Sequence, residues 1–207
     1  MIIKEFHSLE QADNFIAQLV TEKTLNDKAV LISGGNTFLN LLQILSSKKK
    51  QLKFFLTDER DVAKNSEDSN LWSYQKLKYT NMHFMGFIPS KNYKKAISLY
   101  NQIIPSDYFD LALIGVGTDG HIASIFPHEN NLIFKSKNSF YCESSLHQHK
   151  RYSLSLNYIK KSRMIILYFR GDEKIKAFEQ FFNIDSFPLN ELLVLKNNLI
   201  VIKAKGQ

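Results

Sequence analysis

Short apolar runs that end in glycine or charge and then give way to helical spacing recur along this chain. That alternation constrains its fold more than any other feature. Residues 28–32 (KAVLI) run into Ser33-Gly34-Gly35, residues 52–56 (LKFFL) into Thr57-Asp58-Glu59-Arg60, and residues 110–114 (DLALI) into Gly115-Val116-Gly117. Runs this short and this apolar suit strands buried on both faces. Between them, residues 7–25 space Leu9, Ala12, Phe15, Ile16, Leu19 and Val20 as one helical face, with Ser8 and Gln11 resembling a capping box. Residues 36–47, 69–79 and 92–104 read as further helices. Beyond Arg151 the pattern predicts a strand, a short helix, a strand over 163–169, a helix after Gly171, and late strands at ELLVL (191–195) and LIVIKA (199–204). Strands alternating with helices predict an α/β chain with a doubly wound, mostly parallel sheet and helices on both faces. In such sheets ligands sit outside the carboxyl ends of the strands, so the residues just past each run are the ones to inspect.

With 207 residues, no repeat and no Gly/Ser/Pro-rich linker, a single domain over 1–207 is expected, with a monomer as the default. The formal charge of +7 fits an anionic partner, either nucleic acid or a small anionic substrate. The lysines are scattered, the densest run (46–53, SSKKKQLK) reads as a solvated turn, and no nucleic-acid-binding signature is present, so the expectation is a small anionic substrate and no nucleic acid. No run approaches the ~20 apolar residues that span a bilayer, and the acidic first fifteen residues do not read as a secretory leader. The one cysteine, Cys142, leaves no intrachain disulfide and reads as a buried, inert thiol; a reduced cytoplasmic setting is expected.

Three strand ends carry chemistry. Ser33, Gly34 and Gly35 precede a helix, where glycines admit a close ligand and a helix N-terminus offers N–H groups to an anion, although an ordinary tight turn would look the same. The pattern is neither a dinucleotide fingerprint nor a Walker loop, and Ser33 lacks a nucleophile elbow. In TDER (57–60), Arg60 could clamp a phosphate, Asp58 could orient sugar hydroxyls or fix that arginine, and Glu59 is expected to face solvent; a salt-bridged loop is the alternative. The strongest signal is GVGTDGHIASIFP (115–127), where Gly115, Gly117 and Gly120 allow sharp turns and His121 suits a general base. Asp119 is close enough to hold its imidazole or to bind substrate. Of the other histidines, His7, His83 and His128 carry no pattern. His147-x-His149 has no carboxylate at a recognisable ligand spacing, so it reads as a polar loop and no metal is expected.

Together SGGNT (33–37), TDER with DSN (68–70), GVGTDGHIASIFP, RYSLSL (151–156) and GDEK (171–174) occur in the order found in 6-phosphogluconolactonases, which the chain resembles from Ser33 to Lys174. The resemblance implies a Rossmann-like α/β fold shared with glucosamine-6-phosphate deaminases. It also implies hydrolysis of 6-phosphogluconolactone in the pentose phosphate pathway, without metal or nucleotide. On this reading His121 activates water, Asp119 orients it or a sugar hydroxyl, and N–H groups near Gly117 or Gly35 meet the oxyanion. The phosphate sits among Arg60, Arg151, Lys174 and the turn after Gly34 and Gly35, with Asp58 behind Arg60. The deaminase loop resembles Asp-Gly-His-Ile-Ala-Phe-Asn-Glu-Pro, and its acid would fall at Phe126, which exchanges no proton. The alternatives are a deaminase or isomerase on the same fold, and a non-catalytic sugar-phosphate-binding domain. The chain departs from the lactonase pattern at Asn36-Thr37-Phe38 and at LHQHKR (146–151), where Pro-Pro is usual.

Overall fold

The computed structural model describes residues 1–24, 29–48, 50–127, 138–144, 147–182, 187–195 and 197–206. His128 lies outside them. Its strands are β1 (Ile2–Phe6), β2 (Ala29–Ile32), β3 (Leu52–Leu56), β4 (Asp58–Arg60), β5 (Met82–Met85), β6 (Leu111–Gly115), β7 (Ser139–Cys142), β8 (Arg151–Leu154), β9 (Ile165–Arg170) and β10 (Leu199–Ala204). Its helices are α1 (Leu9–Lys23), α2 (Leu39–Ser46), α3 (Asn70–Gln75), α4 (Tyr93–Ile103), α5 (Leu156–Ile159), α6 (Asp172–Phe182) and α7 (Leu189–Leu193).

Seven strands form one sheet in the order β1-β10-β9-β6-β2-β3-β5. Each of its pairings is parallel, as the alternation predicts. Strand parity explains why both faces are covered. Leu31, Ala112, Ile114, Ile165 and Leu167 join one core cluster with α4 and α6, whereas Val30, Ile32, Leu111, Leu113 and Ile166 join another with α1 and α2. Residues one apart point to opposite faces, so an unbroken apolar run serves both cores. The chain winds outward in both directions from the β2–β6 pair, which makes that pair the switch point. Ser8 caps α1 by accepting from Gln11 N (3.3 Å), the bond expected from the sequence. Among the described residues, no helix is long and apolar enough to cross a membrane.

Three elements depart from the expectation. ELLVL is not a strand, because its first three residues end helix α7. Leu189 and Leu192, three apart, are buried together, a spacing that a five-residue apolar run cannot separate from strand alternation. β1, largely exposed, and β5, with His83 exposed, sit at the two sheet edges and so lack the apolar run that marks the central strands. A second sheet, β4-β8-β7, is antiparallel and lies over one core.

Glu59 on β4 is also corrected: it is fully buried rather than solvent-facing. Its carboxylate accepts from the N–H groups of Arg60 (2.8 Å), Asn70 (2.7 Å) and Leu71 (2.7 Å) and from the Ser69 hydroxyl (3.0 Å). Burial pushes the carboxyl up, and these four donors work against that push. Glu59 thereby ties β4 to the start of α3. Glu59→Ala leaves several of those donors buried without an acceptor, and we expect a loss of about 2–4 kcal/mol in denaturant unfolding.

Candidate active site

The β6 exit forms a tight loop. Gly117 N donates to His121 O (2.8 Å), Gly120 N donates to Gly117 O (3.1 Å), and Gly120 has φ +85. The buried run from Ala123 to Pro127 anchors the loop in the core. The loop brings Asp119 Oδ1 to 2.5 Å from His121 Nδ1, and the same oxygen accepts from His121 N (3.2 Å). Burial alone would raise the Asp119 carboxyl; the His121 hydrogen bond and charge outweigh it and hold the group at about 2. A carboxylate on Nδ1 fixes the tautomer and leaves Nε2 as the nitrogen that can take a proton. Gly117 is required by space: a Cβ there would lie 2.2 Å from His121 Nδ1 and 2.5 Å from Asp119 Oδ1.

The β2 exit lies beside it. Ser33 N donates to Leu113 O (2.9 Å), and Ser33 Oγ accepts from Gly115 N (3.2 Å). The Tyr74 hydroxyl, raised by burial, donates to Ser33 O (2.7 Å) and lies 3.1 Å from Gly35 O. Gly34 packs on Asn70, whose Cγ would be 2.2 Å from an added Cβ, and Gly35 holds φ +77.

β4 and β8 close the third side. Asp58 accepts from Thr57 Oγ1 (2.8 Å) and Ser124 Oγ (2.8 Å) and lies 3.8 Å from Arg151 Nη1. It therefore supports Arg151 and the β6 loop, not Arg60 as the sequence reading has it. Arg60 Nη1 instead donates to Asp68 O (2.9 Å). Arg60 and Arg151 are direct register partners across the antiparallel pair, an arrangement that like charges disfavour. The Lys174 ammonium donates to Val116 O; burial lowers its pKa, and Asp119 counters part of that effect.

One cleft, open to solvent, is lined by Ser33, Gly34, Gly35, Asp58, Arg60, Gly117, His121, Arg151 and Lys174, with Asp119 behind His121. The structure thus brings every sequence-predicted site residue to one place. Sequence reasoning missed Thr37 and Asn70 as lining residues. Asn70 stands in the quoted DSN stretch, but its place depends on Glu59 accepting from its N–H and on its amide donating to Asp58 O (3.2 Å). The His147 segment is a loop, as expected, but its two histidines part. His147 stacks on Phe126 with ring centroids 4.3 Å apart, lies 5.7 Å edge-on from His121, and puts Nε2 3.9 Å from Asp119 Oδ2. His149 goes elsewhere, 3.3 Å from Asp68 Oδ2.

The profile of the family described as glucosamine-6-phosphate isomerases/6-phosphogluconolactonase matches residues 7–198. A 6-phosphogluconolactonase of Thermotoga maritima is 32% identical over 186 residues, 81% of each chain. The crystal structure of a 6-phosphogluconolactonase from the same organism superposes with a TM-score of 0.81 at 25% identity, covering 100% of this chain and 99% of that one. A monomeric glucosamine-6-phosphate deaminase gives 0.82 at 16% identity, over 99% of this chain and 97% of its own, a likeness of fold alone.

Gly117→Ala is expected to part the Asp119–His121 pair without unfolding the chain. The check is the downfield imidazole N–H resonance in proton NMR: present in the parent, lost in the variant, with the far-UV circular dichroism unchanged.

Proposed function

The chain belongs to the glucosamine-6-phosphate isomerase/6-phosphogluconolactonase family, and from that premise we infer that it hydrolyses 6-phospho-D-glucono-1,5-lactone to 6-phospho-D-gluconate, a step of the pentose phosphate pathway. The observation that carries this reading is a carboxylate-held imidazole facing a cleft with two opposed arginines, next to a phenylalanine. Phe126 is 1% exposed with its ring 5.2 Å from that of His121. Amino-sugar isomerisation needs an acid–base group there; opening a lactone does not.

Water attacks C1 while His121 Nε2 takes its proton, and the Asp119 carboxylate stabilises the imidazolium that forms. The C1–O5 bond then breaks, and the imidazolium returns the proton to O5. The oxyanion needs donors. Gly117 N–H is committed to His121 O, which leaves the Gly35 turn as the candidate. Arg60, Arg151 and Lys174 hold the 6-phosphate, which relieves the repulsion between the arginines. The reaction as derived uses no metal or cofactor. Both cores lie against the two faces of one sheet, which supports one domain over 1–207. A reduced, cytoplasmic setting belongs to the same reading: Cys142 is the chain's one cysteine and can form no intrachain disulfide.

His121→Ala should lower kcat by about 10²–10⁴-fold and leave KM nearly unchanged. Arg60→Ala should raise KM by about 10–100-fold, the worth of a charge-assisted bond, and leave kcat largely intact. Both are read from hydrolysis of freshly made lactone, with spontaneous opening subtracted at each pH. Turnover that survives His121→Ala would discard the base assignment, and ammonia release from glucosamine 6-phosphate would replace the reaction.

A further inference from the structure

Asp119, His121 and His147 come from two separate stretches and meet around His121, which lines the cleft. His121 Nδ1 is 2.5 Å from Asp119 Oδ1, and His147 Nε2 is 3.9 Å from Asp119 Oδ2. One ligand atom from each residue lies within 4.8 Å of the other two. A tetrahedral zinc ion with bonds of ~2.0–2.2 Å holds its ligands roughly 3.4 Å apart, between the shortest and longest of these separations. Side-chain rotations of about an ångström close the set. Two imidazoles and one carboxylate are a donor set that zinc accepts, and water can complete it. His147 is already held in position by its stack on Phe126. It comes from the stretch at which this chain departs from the lactonase pattern.

We propose that Asp119, His121 and His147 bind a divalent transition-metal ion, zinc above others, and that the ion switches the site off. Switching off rests on the reading of His121 as the base; binding does not. A metal on Nδ1 takes the place of the proton shared with Asp119. It leaves the neutral ring protonated at Nε2, where it donates rather than accepts, so water is not activated. Lys174, Arg60 and Arg151 share the cleft and oppose a cation, so the affinity is that of a reversible site and not of a structural one.

The test titrates the metal-free full chain with Co2+, whose four-coordinate complexes absorb strongly in the visible. The absorption should saturate at one ion per chain, be bleached by Zn2+, and be accompanied by loss of lactone turnover at the same Zn2+ concentration. His147→Phe keeps the stack on Phe126 and should retain metal-free turnover, yet weaken Co2+ binding by about 100-fold. His147→Gln is the second variant should the first fold poorly. No stoichiometric band in the parent, or equal binding in both His147 variants, overturns the site. Stoichiometric, His147-dependent binding with undiminished turnover keeps the site and overturns the switch, together with the base role of His121.

Discussion

The seam between β2 and β6 sets the geometry of everything that follows. There Ser33 N reaches Leu113 O and Gly115 N reaches Ser33 Oγ, so two strands that diverge in their onward connections leave the sheet side by side. Both exits turn on glycine, and for different reasons. Gly34 makes room for Asn70, and Gly117 makes room for the Asp119–His121 pair. A single methyl group at either position would collide with a side chain that belongs to the cleft. Register in the sheet and fit in the loops are thus one constraint met at two places.

The second sheet supplies the charge. Antiparallel pairing of β4 with β8 places Arg60 opposite Arg151. Asp58 draws Arg151 toward Ser124, and the Asp68 carbonyl draws Arg60 away, so the cations are splayed around an open centre. Like charges so placed repel, and that favours an anion that can receive both guanidinium groups. Glu59, between these residues in sequence, faces the other way and holds α3. Strand parity sends one acid to the cleft side and its neighbour to the core.

The central strands were legible because they are buried on both faces and therefore apolar without interruption. The edge strands were not: Lys4 and Glu5 in β1, and exposed His83 in β5, are tolerated where one side of the strand meets water. The His121 loop was legible because its glycines, acid and histidine are adjacent in sequence. Glu59 was misread because a charged residue between two others looks solvated, and its four donors include Ser69, Asn70 and Leu71, ten residues or more away. The ring contacts of His147 were not legible for a related reason. Its carboxylate and imidazole neighbours lie more than twenty residues upstream, and only the fold brings them near.

The fold by itself does not choose the reaction, since a deaminase superposes on it as well as a lactonase does. The choice falls to what surrounds one imidazole. A general base that must also pass a proton to a second carbon needs a second titratable group within reach. Here the neighbours on that side are Phe126 and, against its face, His147. The phenyl ring itself exchanges no proton, so position 126 offers no second acid–base group. It leaves an Asp–His pair equipped for one proton taken and one returned, which is all that opening a lactone requires.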